Sequence, residues 1–168
     1  MIHKIQIPII CLAIILTMVG CSSTTDTEKT AHDEQFVEVQ LQYGFVDELN
    51  TFEGTFTKDL VMDGSITVEF WLSNEDQESI KELVDQLSFF SLPNYIPAES
   101  GVMVEPNPSP DSLRIRLGSI DKTVVWFYPL DMENTDSKNL IELSNYIMFI
   151  VQKSDIYKAL PEARGGRL

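Results

Sequence analysis

A mostly apolar block near the start of the chain, residues 5–19, decides which residues are left to form a folded domain. Lys4 precedes the block, and the small residue Gly20 follows it. The block is too short for a comfortable membrane span, but it has the length, the positive start and the small-residue exit of an export signal. We therefore expect residues 1–20 to be a signal peptide and the fold to form from the residues after it.

The junction that follows the apolar block contains a cysteine. Residues 18–22 read Met-Val-Gly-Cys-Ser, and this run resembles the lipobox of bacterial lipoproteins. The resemblance covers residues 1–22 only. It implies that the signal is cut before Cys21 and that the thiol of this residue carries a diacylglycerol. The alternative is an ordinary secretory signal, or an uncleaved anchor helix, with a cysteine at this place by chance.

Lipidation of Cys21 implies a protein that is anchored in a membrane outside the cytoplasm. Ser22 is not the acidic residue that retains a lipoprotein in the inner membrane. We therefore expect a cell-envelope location, in the outer membrane of a host with two membranes and on the outer leaflet of the cell membrane of a host with one. Residues 21–35 are almost entirely polar, which predicts a disordered tether, and residues 36–168 have the length of a single domain.

The chain is strongly acidic, with a formal net charge of −14. Because the signal contains Lys4 but no carboxylate, its removal makes the charge more negative still. Phosphate backbones and anionic lipid headgroups repel such a surface, so nucleic-acid binding is disfavoured. Solubility is a sufficient explanation for the charge, and attraction to a cationic protein partner is the alternative.

The chain contains few cysteine and histidine residues, and this excludes several kinds of catalytic and metal site. Cys11 leaves with the signal and Cys21 carries the lipid, so the mature domain has neither a disulfide nor a cysteine metal ligand. The one histidine after the signal, His32, lies in the predicted tether. Serine and cysteine hydrolase triads and the common zinc sites therefore lack their histidine, and we expect no metal or cofactor.

Alternating apolar and polar residues predict several stretches of β-structure. We expect an N-terminal strand over residues 36–43, followed by a turn or irregular passage over residues 44–50. A first hairpin is expected over residues 60–72, because the pair Asp63-Gly64 suits a tight turn. A second hairpin is expected over residues 113–128.

Apolar residues at helical spacing follow each hairpin. The first helix is expected to begin at Ser73, as its N-cap, and to end before Pro93, and the second to run from residues 133–136 to about Ser154. We therefore expect an α+β fold in which an antiparallel sheet, built from the two hairpins and the N-terminal strand, carries two amphipathic helices on one face. The repeated order indicates either a ββα duplication or a coincidence of common units.

Residues 91–111 form an unusually long connection that contains five prolines. The candidate binding residues of this loop are Tyr95, Val102, Met103 and Val104. Proline limits the conformations of the free loop, so a partner would meet a smaller ordering cost on binding. The alternative is that the apolar residues of the loop fold back over a sheet edge.

Three further sets of residues have both a functional and a structural interpretation. Four carboxylates near the first hairpin suit paired catalytic acids or calcium ligands, or an ordinary acidic surface: Asp47, Glu48, Asp59 and Asp63. Ser119 and Lys122 have the spacing of the serine–lysine pair of penicillin-binding enzymes but fall in a predicted hairpin turn. Four aromatic residues form either a sugar or peptide platform or part of the core: Trp71, Trp126, Phe127 and Tyr128.

Two classes of function follow from these patterns. The first is a non-enzymatic, lipid-anchored envelope protein whose sheet face or proline-rich loop recognises a protein, with inhibition of a cationic secreted enzyme as one specific form. The second is a hydrolase of cell-wall or glycan material that uses paired carboxylates. We favour the first, because each catalytic interpretation needs residues or spacings that the chain lacks. The domain is also too short for the two lobes of a solute-binding lipoprotein.

Overall fold

A computed structural model describes residues 36–99 and 110–166, which form an α+β domain. The predicted signal and tether, including Cys21, lie outside the described residues, and so do Val102, Met103 and Val104 of the predicted binding loop. Among the described residues, no helix combines the length and the apolar composition that crossing a membrane requires.

One seven-stranded sheet organises the described domain, with the strand order β4-β3-β2-β1-β6-β7-β5. The strands are β1 Val37–Tyr43, β2 Asp47–Asn50, β3 Thr55–Val61, β4 Gly64–Glu69, β5 Tyr95–Ile96, β6 Asp111–Leu117 and β7 Ile120–Trp126. Hairpins are present near both predicted places, as β3–β4 and β6–β7, although the first begins at Thr55 and ends at Glu69 and does not span residues 60–72 as predicted. The N-terminal strand β1 lies between β2 and β6.

The sheet differs from the prediction in two places. Residues 47–50 form β2 where a turn or irregular passage was expected, because β1 and β3 both pair with this polar segment. The sheet is also mixed and not purely antiparallel, since Tyr95 and Ile96 pair in parallel with Val125 and Trp126. A strand of two residues is too short to show an alternating pattern in the sequence. The strand β5 is therefore identified only by its pairing with β7.

A row of apolar side chains crosses six strands of the sheet in register. The row consists of Val68, Phe56, Leu49, Leu41, Leu113 and Val124. All six belong to or pack against the main core, and each fully buried member contributes about 1.5–3 kcal/mol of hydrophobic stabilisation. The alternate residues on the opposite face are polar, as in Gln40 beside Arg114. One face of the sheet is therefore apolar and covered, and the other is polar.

Two long helices cover the apolar face. They are α1 Asn74–Gln86 and α2 Thr135–Lys153, followed by the short helix α3 Asp155–Lys158. The predicted cap of α1 is confirmed, since the Ser73 hydroxyl accepts from the backbone N–H of Asp76 at 3.1 Å. Within the predicted start of α2, the structure shows Asn134 as the cap, whose side chain accepts two N–H groups of the first turn. A 3-10 helix, Phe89–Ser91, follows α1 before Pro93.

The helices bury unequal amounts of surface in the shared core. Within α1, only Ile80 and Val84 are buried, whereas α2 buries seven residues along its length. The seven are Ser137, Leu140, Leu143, Ser144, Ile147, Ile150 and Val151. The outer faces of both helices remain at the surface, and a groove lies between the helices.

Candidate functional site

Of the four candidate residues of the predicted binding loop, Tyr95 lies within the described structure. This residue lies on the edge strand β5, where its side chain is 54% exposed and its ring centroid is 6.3 Å from that of Phe127. The neighbouring Ile96 is buried, so the start of the loop extends the sheet by one strand. Because the other three candidate residues lie outside the described ranges, a binding role for the loop stays a prediction.

Of the four carboxylate residues near the first hairpin, the structure brings Asp47 and Asp59 together, whereas Glu48 and Asp63 bind other residues. Asp47 accepts from the backbone N–H of Asp59 at 3.0 Å, and Asp63 binds the guanidinium of Arg164 through two bonds of 2.7 and 2.8 Å. Glu48 accepts from the side-chain amide of Gln40 at 2.6 Å. Within residues 36–99 and 110–166, no three histidine, cysteine or acidic residues group closely enough to hold a metal ion.

The serine–lysine pair lies on the second hairpin, as the sequence predicts. Ser119 is in the turn between β6 and β7, and Lys122 lies on β7, where its amine donates to the Asn94 side chain at 3.0 Å. In penicillin-binding enzymes the serine and the lysine lie together on a helix. Lys122 lies on a strand and donates to Asn94, so it does not have this placement.

A groove between α1 and α2 is the largest of the surface cavities that we describe, with a volume of about 510 Å³. We call it the interhelical groove, and its lining consists of Ser79, Glu82, Leu83, Gln86, Glu142, Asn145 and Tyr146. Leu83 and Tyr146 are partly buried against the core and supply an apolar contact surface. Glu82 and Glu142 form no ion pair with any residue in the described part of the chain.

Two of the three lysines on α1 and α2 are paired, whereas Lys138, one turn before Glu142 on α2, forms no ion pair among the described residues. The Lys153 amine binds the Asp76 carboxylate at 2.7 Å, which joins the end of α2 to the start of α1. This bond raises the pKa of Lys153. Partial burial acts to raise the pKa of Asp76, but hydrogen bonds from Lys153 and Ser73 outweigh it and lower that pKa. Lys81 likewise binds Glu78 at 2.7 Å. The groove therefore carries the negative charge of Glu82 and Glu142, and neither Lys81 nor Lys153 is a free cation that would offset it.

The apolar surface of the interhelical groove continues along α2. Phe149 is 57% exposed, and its ring centroid is 6.5 Å from that of Tyr146. Both residues lie outside the apolar stripe that the helical spacing predicts, so their role was missed in the sequence. An aromatic residue off the buried stripe of an amphipathic helix is the signal that would have indicated this surface.

A second groove, of about 400 Å³, brings exposed aromatic rings together. We call it the aromatic groove, and its lining consists of Phe36, Val37, Glu38, Thr51, Phe52, Trp71, Leu72 and Gln77. Phe36 and Trp71 are each 61% exposed. Of the predicted aromatic platform, the structure thus places Trp71 at the surface, whereas Trp126 is 1% exposed and belongs to the core.

Two local features hold the Trp71 ring in its exposed position. Its indole N–H donates to the Glu69 carboxylate at 2.7 Å. The ring also lies against Gly54, where a Cβ would come within 2.1 Å of it, and Gly54 has a φ of +69° that favours glycine. The ring is therefore positioned by the backbone of a neighbouring turn as well as by its own hydrogen bond.

Two ion pairs lie beside the aromatic groove. Arg116 pairs with Glu38, and Arg114 binds Asp121 through two bonds of 2.6 and 2.9 Å. The hydrogen bond from Arg114 lowers the pKa of Asp121. Both guanidinium groups also lie over the Phe52 ring, at 4.4 and 4.8 Å from its centroid. The charges of these two pairs cancel and join neighbouring strands, whereas Glu69, which accepts from the Trp71 indole, forms no ion pair among the described residues.

One buried carboxylate lies away from both grooves. Asp111, at the start of β6, is 4% exposed and accepts from the backbone N–H of Gly44 at 3.0 Å. Burial raises the pKa of Asp111 to about 6, although the bond from Gly44 acts in the opposite direction. Burial also raises the pKa of the neighbouring Tyr128. The Asp111 carboxyl therefore joins β6 to the β1–β2 turn and titrates in the mildly acidic range.

The described domain thus has two grooves of different character, one between helices with two unpaired glutamates and one lined by aromatic rings whose only lining carboxylate, Glu38, is paired. No protein-family model, curated protein or solved structure matches this chain.

Proposed function

We propose that the chain is a lipid-anchored, extracytoplasmic envelope protein of non-enzymatic type, whose domain recognises a cationic partner protein at the interhelical groove. The lipobox resemblance of residues 1–22 supports the anchor and the location. The net charge of −14 supports a partner of opposite charge. The domain then presents its binding surface to proteins outside the cytoplasm.

One observation carries this proposal: Glu82 and Glu142 flank an apolar surface without forming ion pairs in the described residues. Unpaired carboxylates steer a cationic partner and favour one binding register. Leu83 and Tyr146 supply apolar area for the close contact, which charge alone does not provide. Lysine or arginine residues beside apolar side chains are the complementary chemistry.

The repeat predicted from the sequence forms part of the proposal. We propose that β3–β4–α1 and β6–β7–α2 are two ββα units related by duplication. Each unit contributes one helix to the interhelical groove. A binding surface between the two helices requires both units, which would explain why both units occur in one chain.

The test is recovery of a partner protein with a tagged full chain from envelope membranes of the host. We expect the partner to carry a basic surface and its recovery to fall as salt is raised, because ionic strength screens exposed charges. Glu82→Gln together with Glu142→Gln should reduce recovery at least tenfold. The matched control, Glu53→Gln together with Glu162→Gln, removes the same charge elsewhere and should leave recovery unchanged.

Equal loss in both double variants would show that net charge alone attracts the partner and would contradict a site at the groove. Recovery that is independent of salt would contradict a cationic partner. The anchor has its own test, since Cys21→Ser should abolish incorporation of a fatty-acid label. Retention of the label in that variant would show that Cys21 is not the lipidated residue.

A further inference from the structure

We infer that the aromatic groove binds a neutral oligosaccharide built from pyranose rings. This site shares no lining residue with the interhelical groove, so the inference goes beyond the proposed function and does not depend on it. Three features of the groove carry it: exposed rings in fixed positions, polar groups with unused hydrogen-bonding capacity, and local neutrality.

The rings provide flat surfaces that are accessible before any ligand arrives. Phe36 and Trp71 are each 61% exposed, and the guanidinium groups of Arg114 and Arg116 lie over the Phe52 ring. Because Glu69 and Gly54 fix the Trp71 ring, little side-chain freedom is lost when a ligand stacks on it. One face of a pyranose ring consists of C–H groups, which pack well on such a surface.

Polar groups in the lining match the hydroxyl groups of a sugar. The Thr51 hydroxyl accepts from the Val39 N–H at 2.7 Å and keeps its own O–H for donation. Gln77 donates to the Leu72 carbonyl at 3.4 Å, and its amide oxygen takes part in no hydrogen bond within the described residues. An aromatic surface with a few directed polar groups is typical of small-ligand sites, and a volume of about 400 Å³ lies in their range.

Local neutrality distinguishes this ligand class from the partner of the interhelical groove. Glu38 is the only carboxylate in the lining of the aromatic groove, and it is paired with Arg116. A cationic segment would have to compete with Arg116 for this carboxylate, and an anionic ligand would meet an arginine that is already paired. A neutral ligand avoids both costs.

The experiment measures binding of cellotetraose and of chitotetraose to the full chain in phospholipid nanodiscs by isothermal titration calorimetry. We expect saturable binding of at least one of the two oligosaccharides. Trp71→Ala should weaken it at least tenfold, whereas Trp71→Phe, which keeps a ring, should stay within about threefold. Phe45→Ala is the matched control, because it removes an exposed aromatic side chain from the β1–β2 turn and should leave binding unchanged.

A second readout uses the fact that the chain has only two tryptophans. Trp126 is buried, so iodide should quench the emission of Trp71 alone, and bound oligosaccharide should protect it. Absence of saturable binding for both oligosaccharides, or equal affinity of Trp71→Ala and the wild type, would overturn the inference. Loss of partner recovery in Trp71→Ala without oligosaccharide binding would also overturn it and would assign the groove to a protein contact. Glu82→Gln with Glu142→Gln should leave oligosaccharide binding unchanged, which separates this result from the proposed function.

Discussion

The units β3–β4–α1 and β6–β7–α2 have the same order of elements but use their tryptophans in opposite ways. Trp71 follows β4 and is 61% exposed, whereas Trp126 ends β7 and is 1% exposed. Their helices differ in the same direction, since α1 buries two residues and α2 buries seven. The tryptophan of the first unit therefore lies at the surface, and the helix of the second unit contributes more buried residues to the core.

Alternation along the strands explains this difference. Val68 and Val124 lie in the same apolar row of the sheet, so Phe70 and Trp126, each two residues further along the chain, are both buried. Trp71 is one residue beyond Phe70, just after the edge strand β4, and alternation takes it away from the core. The two units therefore bury an aromatic residue at the same place, and the counterpart of the exposed Trp71 is the half-buried Phe127.

The largest expected effect concerns the two tryptophans. Trp126→Ala should lower the free energy of unfolding by about 3–5 kcal/mol, because it leaves a large cavity in the core. Trp71→Ala should change it by less than about 1 kcal/mol, because the ring is mostly exposed. Urea unfolding of a soluble form, residues 22–168, measures both. Equal effects of the two substitutions would contradict the division of roles.

A medium effect is expected at Asp111, and it depends on pH. Because burial raises the pKa of Asp111 from 3.8 to about 6, folding favours the protonated carboxyl. Its contribution to stability is fully present below pH 3.8 and is lost as the pH rises through 6. Asp111→Asn stays neutral and keeps an acceptor for Gly44, so it should stabilise the domain by about 1–3 kcal/mol at pH 7.5. At pH 3.5 the variant and the wild type should unfold alike, and a pH-independent difference would be evidence against a titrating Asp111.

A smaller effect is expected at the helix caps of the two units. Ser73→Ala and Asn134→Ala each remove side-chain acceptors for the first turn of a helix, and each should cost about 1 kcal/mol. Hydrogen exchange distinguishes the units. We expect Ser73→Ala to increase exchange mainly in α1, which has fewer buried anchors, and Asn134→Ala to affect α2 less. The reverse ranking would indicate that α2 is the less firmly held helix.

The smallest effect is expected at the ion pair that joins the helices. Lys153→Met removes the partner of Asp76 and should cost less than about 1 kcal/mol, because the pair is at the surface. Since the pair lowers the pKa of Asp76, its contribution is present above the unfolded pKa and is lost as the pH falls through the folded one. Chemical denaturation at a series of pH values should show the difference at pH 7 and its progressive loss as the pH falls below the unfolded value of 3.8.

Local patterns in the sequence predicted those elements whose neighbours lie close in the chain. Alternation indicated β1 and both hairpins, and the capping residue Ser73 and the acidic segment 133–136 indicated where the helices begin. The polar strand β2 and the two-residue strand β5 have no such pattern, because their stability comes from pairing with other strands. Local rules therefore failed where tertiary pairing decides the structure.

The two grooves could not be predicted from the sequence for a related reason. Leu83 and Tyr146 meet only because α1 and α2 pack side by side. The arginines that lie over Phe52 come from a strand that is distant in the sequence. The exposure of Trp71 was undecided between platform and core until the edge position of β4 was known. No periodicity in one sequence specifies such contacts.

Site-specific photocrosslinking tests the central claim, recognition of a partner at the interhelical groove, most directly. A benzoylphenylalanine replaces Asn145 in the groove or, as a control, the exposed Met132 in the segment before α2, in the full chain in host membranes. The account predicts one crosslinked partner with a basic surface from position 145, lost when Glu82 and Glu142 are changed to Gln, and none from position 132. Crosslinking from position 132 alone, or from position 145 regardless of the two glutamates, would contradict it.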